Sequence, residues 1–199
     1  MNPLLTWLSG GDARSDGAAT EVSALVLCNP QLFPDLFAGL SERDDVVRHR
    51  AADALEKLAR SRPDLLAPHL STLLRLVRQD PVPMVRCHLA IILGHLAPYA
   101  EHAAALTAAL LDLLRDPSPF VRSWAITSLC ILARLYPDRG ESILRRIAPL
   151  QRDPSVAVRT RATRATGLLL DERLPFPPGW VKGSHAALLA LAPPPRRRR

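Results

Sequence analysis

The chain has 199 residues, 48% of them apolar, with a formal net charge of +7, so it is too long for a peptide, too apolar for a disordered chain, and fits one domain with a continuous core. Aromatic residues are few (three Trp, two Tyr, four Phe) while Ala and Leu dominate, which suits close-packed helices better than sheets. More than half of the net charge is the terminal run Arg196, Arg197, Arg198 and Arg199, so the body is not strongly basic and nucleic acid is not the default partner.

Residues 1–11 hold only a brief apolar run, Pro3 to Leu8, without a basic stretch before it, and no signal peptide is expected there. A first, irregular hairpin reads from Gly17 to Cys28 and Leu32 to Leu40, broken at Asn29-Pro30. From there the chain alternates between two kinds of apolar segment. The first kind carries a Val-Arg pair: Val47-Arg48, Val85-Arg86, Val121-Arg122 and Val158-Arg159, with the arginines 38, 36 and 37 residues apart. The second kind lies between these, at Leu65 to Val77, Ala103 to Leu114 and Glu141 to Leu150, each after Pro, Asp or Gly punctuation.

Six residues before three of the arginines stands an Asp-Pro pair: Asp80-Pro81, Asp116-Pro117 and Asp153-Pro154; the first copy has Glu42 there, followed by Asp44 and Asp45. An aspartate accepts a hydrogen bond from an orphan amide at a helix start, and proline fits the first helical position, so each pair predicts a helix start. Counting on from each arginine, offset three holds Ala51, Leu89, Ala125 and Ala162; offset seven holds Leu55, Leu93, Leu129 and Thr166; offset ten holds Leu58, Leu96, Leu132 and Leu169. These positions share one helix face, with a small residue near the start for close approach of a neighbour. Thr166 is the polar departure, in the last copy, where one side of a terminal repeat faces water.

The Asp-Pro turn, the Val-Arg pair and the Ala/Leu ladder resemble the HEAT repeat over about 130 residues. The resemblance implies an all-α, right-handed α-α superhelix (solenoid) of about four to five hairpins over 12–171. It also implies an Asp–Arg ladder joining neighbouring repeats, and a scaffold whose second helices line a concave surface that holds another macromolecule. Residues 1–11 form a separate N-terminal segment in this reading. Residues 172–199 form a Pro/Arg-rich tail, packed loosely through Phe176 and Trp180.

Some proteins with such repeats are enzymes. Iron-dependent hydroxylases carry repeated His-Glu dipeptides; here only the reversed Glu101-His102 occurs. His88, His95 and His102 recur every seven residues but Pro98 interrupts them, so they read as polar surface or satisfied structural histidines and not as metal ligands. Related DNA glycosylases use aromatic residues and an acid on the concave face; Trp124 has Ser128 one turn on, and packing between hairpins is its expected role. Nothing marks a chromophore pocket of the kind bilin lyases need, and nucleophile and phosphate-loop motifs are absent from the sequence.

Cys28, Cys87 and Cys130 are odd in number and each in an apolar context, which reads as three buried thiols in a reducing compartment. No stretch is long and apolar enough for a membrane span. The expectation is therefore a cytoplasmic, non-enzymatic scaffold without a cofactor, binding a protein through charged positions on the second helices: Arg75, Arg78, Asp112, Arg115, Arg145 and Arg146. A nucleic acid, held by the same basic positions and the terminal arginines, is the alternative partner, with affinity that would fall as salt rises.

Overall fold

Helix α4 (Asp45–Ala59) opens on Asp44, whose carboxylate accepts from the Val46 amide at 2.8 Å. In the computed structural model, which describes residues 2–12 and 15–183, the later repeats start differently. Asp80, Asp116 and Asp153 each accept from the amide two residues on, Val82, Ser118 and Ser155, at 2.8 Å. Only after that turn do α6 (Pro83–His95), α8 (Pro119–Leu135) and α10 (Val156–Leu170) begin. Pro81, Pro117 and Pro154 therefore lie in the turns, and Pro83 and Pro119 take the first helical position, two residues later than the Asp-Pro spacing predicts. The physical reason is that each aspartate has a second task. One oxygen closes the turn, and the carboxylate also faces the arginine of the preceding repeat.

Those arginines form the ladder that the resemblance implies. Arg48 donates Nε to Asp80 at 3.1 Å, Arg86 forks onto Asp116 at 2.7 and 3.0 Å, and Arg122 forks onto Asp153 at 2.9 and 2.9 Å. In each case Nη1 reaches back to the two carbonyls at the start of its own repeat, so one guanidinium fixes both the turn and the neighbour. Arg159 keeps the backward bonds, to Asp153 and Pro154, but meets no carboxylate among the described residues, because the stack ends there.

Helices α5 (Leu70–Gln79), α7 (Ala103–Leu113) and α9 (Gly140–Ile147) complete the hairpins. Ala51, Leu89, Ala125 and Ala162 are fully buried, as are Leu55, Leu93 and Leu129 at the next ladder position. Thr166 is half-buried and turns its hydroxyl to the Ala162 carbonyl, an end-of-stack solution. Helices α4, α6, α8 and α10 pack closely in succession, whereas α5 and α7 touch less and α7 and α9 hardly meet. Where a stack of hairpins curves, the helices on the inner side are the ones brought together. The Val-Arg helices are therefore the inner layer, and the second helices, expected to line the concave side, form the outer one.

The N-terminal segment packs onto the stack. Helix α1 (Pro3–Leu8) buries Leu5 and Leu8 against the same core and packs on α4, together with α2 (Ala19–Cys28) and α3 (Phe33–Ala38). The buried Arg50 of α4 holds the loop between α1 and α2, donating to the carbonyls of Leu8, Ser9, Gly10, Asp12 and Ser15 at 2.6–3.3 Å. Gly17 has φ +52, and a Cβ there would stand 2.7 Å from the Arg50 guanidinium, so this knot requires glycine. Cys87 and Cys130 are buried as expected, but Cys28, at the end of α2, is exposed. No helix among the described residues is long and apolar enough to cross a membrane.

Candidate functional site: the inner face and its own strand

Beyond Asp171 the chain leaves the helical stack and runs back across the inner layer, where four helices meet it in turn. Arg134 of α8 donates to the Leu174 carbonyl at 2.9 Å and lies over the Phe176 ring at 4.9 Å. The Trp180 indole N–H donates to Thr127 Oγ1, which also accepts from Arg161 of α10 at 2.7 Å; a hydroxyl oxygen has lone pairs for both. Arg161 stacks over the Trp124 ring at 4.6 Å, and Lys182 approaches the same ring at 5.2 Å. Lys182 Nζ also stands 3.8 Å from Glu56 Oε2 of α4, so it is held between an aromatic face and a buried carboxylate. Trp180 is only 4% exposed, which makes this segment a packed one and corrects the expectation of loose packing. Residues 184–199, including Arg196 to Arg199, lie outside the described residues.

Trp124 packs against the core and under Arg161 of the next hairpin, as expected, and it also meets the segment that follows the stack. Half-buried, it presents its ring to Arg161 and Lys182, and its neighbours Thr127, Ile131, Ile91 and His95 line the rest of the contact with Val181 and Lys182. Sequence reasoning missed Glu56, Thr127 and Arg161 as groove residues. Their only signal was polarity at positions where the ladder wants apolar or solvent-facing side chains. A shallow crevice of about 260 Å³ lies beside this segment, between α8, α9, α10 and Phe176, with Arg134, Glu141 and Glu172 among its apolar lining.

Burial alone would raise the Glu56 pKa. Arg60, forked onto both its oxygens at 2.9 and 2.5 Å, and His95 facing one of them override that and hold it down at about 2. Glu56 is thus a fixed negative charge with no access to solvent, next to the one lysine of the strand that reaches it. His88 and His95 are neither surface nor satisfied groups, contrary to the sequence reading. Both are buried, and His88 Nδ1 and His95 Nε2 lack a hydrogen-bond partner. Burial pushes His88 down to about 4, so it is neutral near physiological pH. With Asp53 and Glu56 it forms the group of buried side chains best able to hold a metal ion.

The six charged positions expected to bind a partner are all exposed, on or next to the outer helices. The structure brings two of them together: Arg78 donates to Asp112 at 3.0 Å, bridging α5 and α7. Arg145 lies 3.9 Å from Glu141 on its own helix, and Arg75, Arg115 and Arg146 have no partner among the described residues. They form a spaced row along the outer layer, not a convergent site.

A family model of HEAT repeats matches residues 33–130. No curated protein matches the sequence. Among solved structures, the fold is similar to a designed armadillo repeat protein in complex with the peptide (KR)4, at 20% identity and a TM-score of 0.57, covering 85% of this chain and 81% of that one. A stack of Asp–Arg-laddered helical hairpins with an inner groove defines the class of α-solenoid repeat proteins. Residues 33–130 are HEAT repeats, and the chain has a HEAT/armadillo-like solenoid fold.

Proposed function

We propose that the protein is a non-enzymatic scaffold that binds a protein partner as an extended segment along the inner layer, in the groove that its own residues 174–183 occupy. The observation that carries this reading is Lys182 held between Trp124 and Glu56, with Trp180 anchored on Thr127 two residues earlier. The segment turns at Pro177 to Trp180, where the Trp180 amide donates to the Pro177 carbonyl at 3.0 Å, and beyond that turn the surface supplies a fitted place for both Trp180 and Lys182. The similar armadillo stack that was solved holds a peptide of alternating lysine and arginine, which is the charge that Glu56 selects. The partner segment is therefore basic, with an aromatic residue near its lysine, and it competes with the protein's own strand.

The test uses the full chain and a fluorescent peptide of residues 174–183. Fluorescence anisotropy should show weak binding to the wild type, tight binding to Trp180→Ala/Lys182→Ala, and loss of that binding when Trp124→Ala is added. No binding to the double variant would refute the reading.

A second surface has one observation in its favour. Arg75, Arg115 and Arg146 leave three unpartnered guanidinium groups on the outer layer, with Arg78, Asp112 and Arg145 beside them. A phosphate backbone tracking this row would lose affinity steeply as salt rises, and Arg75→Ala/Arg146→Ala would flatten that slope. An unchanged slope would remove nucleic acid from consideration.

A further inference from the structure

The interface between α4 and α6 is polar where the ladder would have it apolar. Asp53 and Glu56 come from α4 with side chains 7% and 0% exposed, and His88 and His95 from α6 with side chains 8% and 3% exposed. His88 Nδ1 stands 3.6 Å from Asp53 Oδ1 and His95 Nε2 stands 3.6 Å from Glu56 Oε1, both too long for a hydrogen bond. Neither nitrogen has another partner. A buried imidazole nitrogen facing a carboxylate across such a gap is one atom short of a satisfied arrangement.

One ligand atom each from Asp53, Glu56 and His88 lie within 4.8 Å of one another. With metal–ligand bonds of about 2.0–2.2 Å, donor atoms around one ion are roughly 3–4 Å apart, so small side-chain rotations close this set around an ion. Asp53 and Glu56 are three residues apart on one helix face, which is what lets both carboxylates meet the same imidazole. We propose that Asp53, Glu56 and His88 form a binding site for a divalent transition-metal ion of the zinc class, tying α4 to α6. One imidazole with two carboxylates favours Zn²⁺, Co²⁺ or Ni²⁺ over Mg²⁺ and Ca²⁺, which prefer oxygen donors alone. His95 Nε2 stands 3.6 Å from Glu56 Oε1, beside the same carboxylate.

Three cations adjoin the carboxylates: Lys57 is bonded to Asp53 Oδ2, Arg60 to both oxygens of Glu56, and Lys182 is 3.8 Å from Glu56 Oε2. They make the buried charges tolerable without an ion. They also mean that an incoming ion must displace ammonium groups, of which Lys182 is the most loosely held, so affinity is moderate. Lys57 leaves Asp53 Oδ1, the oxygen that faces His88, for the metal.

The experiment is a Co²⁺ titration of the full chain, freed of metal by a chelator and followed by visible absorption, with Zn²⁺ displacement as the second arm. One equivalent should bind in the micromolar range, with at least a tenfold loss in His88→Ala and in the near-isosteric Asp53→Asn, and no change in His102→Ala. Circular dichroism checks that each variant is folded; should His88→Ala unfold, Asp53→Asn gives the answer alone. Absence of stoichiometric binding up to millimolar Co²⁺, or undiminished binding by Asp53→Asn, would overturn the proposal.

Discussion

Arg122 and Asp153, 31 residues apart in the chain, meet in a two-point ion pair, Nε to Oδ2 and Nη2 to Oδ1, each at 2.9 Å. The pair is nearly dry, with side-chain exposures of 12% and 6%. Removing one partner of such a pair leaves the other charge buried and uncompensated, so Arg122→Ala should cost roughly 3 kcal/mol. Arg159→Ala, at the end of the stack, removes carbonyl hydrogen bonds alone and should cost about 1 kcal/mol. Urea denaturation of the two variants checks the contrast; equal losses would mean that the ladder contributes nothing beyond turn closure.

The same pair carries a pH dependence. Burial would raise the Asp153 pKa, but Arg122 and the Ser155 amide outweigh it and hold the carboxyl below its ordinary 3.8. A carboxylate depressed in the folded state stabilises fully above the unfolded value and loses that contribution as pH falls below it. The difference in urea midpoint between the wild type and Asp153→Asn should therefore shrink as pH is lowered from about 6 toward 3.

Gly94 and Gly167 occupy the same register position, eight residues after the repeat arginine, in different surroundings. A Cβ on Gly94 would stand 2.6 Å from Ser128 Oγ and 3.0 Å from Ser128 Cβ, and Ser128 is itself tied to the Ala90 carbonyl at 2.8 Å. A Cβ on Gly167 meets nothing within 4 Å. Gly94→Ala should destabilise by about 1 kcal/mol or more despite its better helix propensity. Gly167→Ala should stabilise by up to about 1 kcal/mol. Thermal melts that shift in opposite directions bear this out.

In the central repeats, Leu93 is fully buried, and Leu93→Ala should cost roughly 2 to 5 kcal/mol through the cavity it leaves. Leu170, at 70% exposed on the last helix, should tolerate alanine within about 0.5 kcal/mol. A loss under 1 kcal/mol at Leu93 in denaturant titration would mean that the inward face is assigned wrongly.

The thiols should separate by reactivity. Burial pushes Cys87 and Cys130 up to about 12, while Cys28 is exposed. A water-soluble thiol reagent at about pH 8 should label one cysteine in the native protein and three in denaturant. Rapid labelling of a second would reveal local opening of α6 or α8.

The spacing of Val-Arg pairs and the offsets of Ala51, Leu93 and Leu132 were sufficient to name the hairpin, its length and its buried face, because helical periodicity is local and an apolar stripe must be covered by something. The ladder was an implication of the resemblance to the HEAT repeat, and the structure forms it between Arg48, Arg86 and Arg122 and the aspartates of the next repeat. What covers a stripe is not local. That the Val-Arg helices form the inner layer depends on how closely successive hairpins approach, which is set by packing across each repeat boundary and leaves no periodic trace. Cys28 and Arg50 show the limit on a small scale. Each sits in a helical apolar context or beside one, yet the first faces water and the second is buried under five loop carbonyls.

By itself, then, the sequence determined the repeat and the core positions, which follow from interactions within about 37 residues. The tertiary structure alone decided that Lys182 meets Glu56 across more than a hundred residues, that His88 faces Asp53, and that residues 174–183 lie on the inner face. Such contacts form between single side chains brought together by the stack. Nothing in the order of residues on either side records that meeting, because the free energy that selects it comes from burial and charge pairing that exist only once the hairpins are assembled.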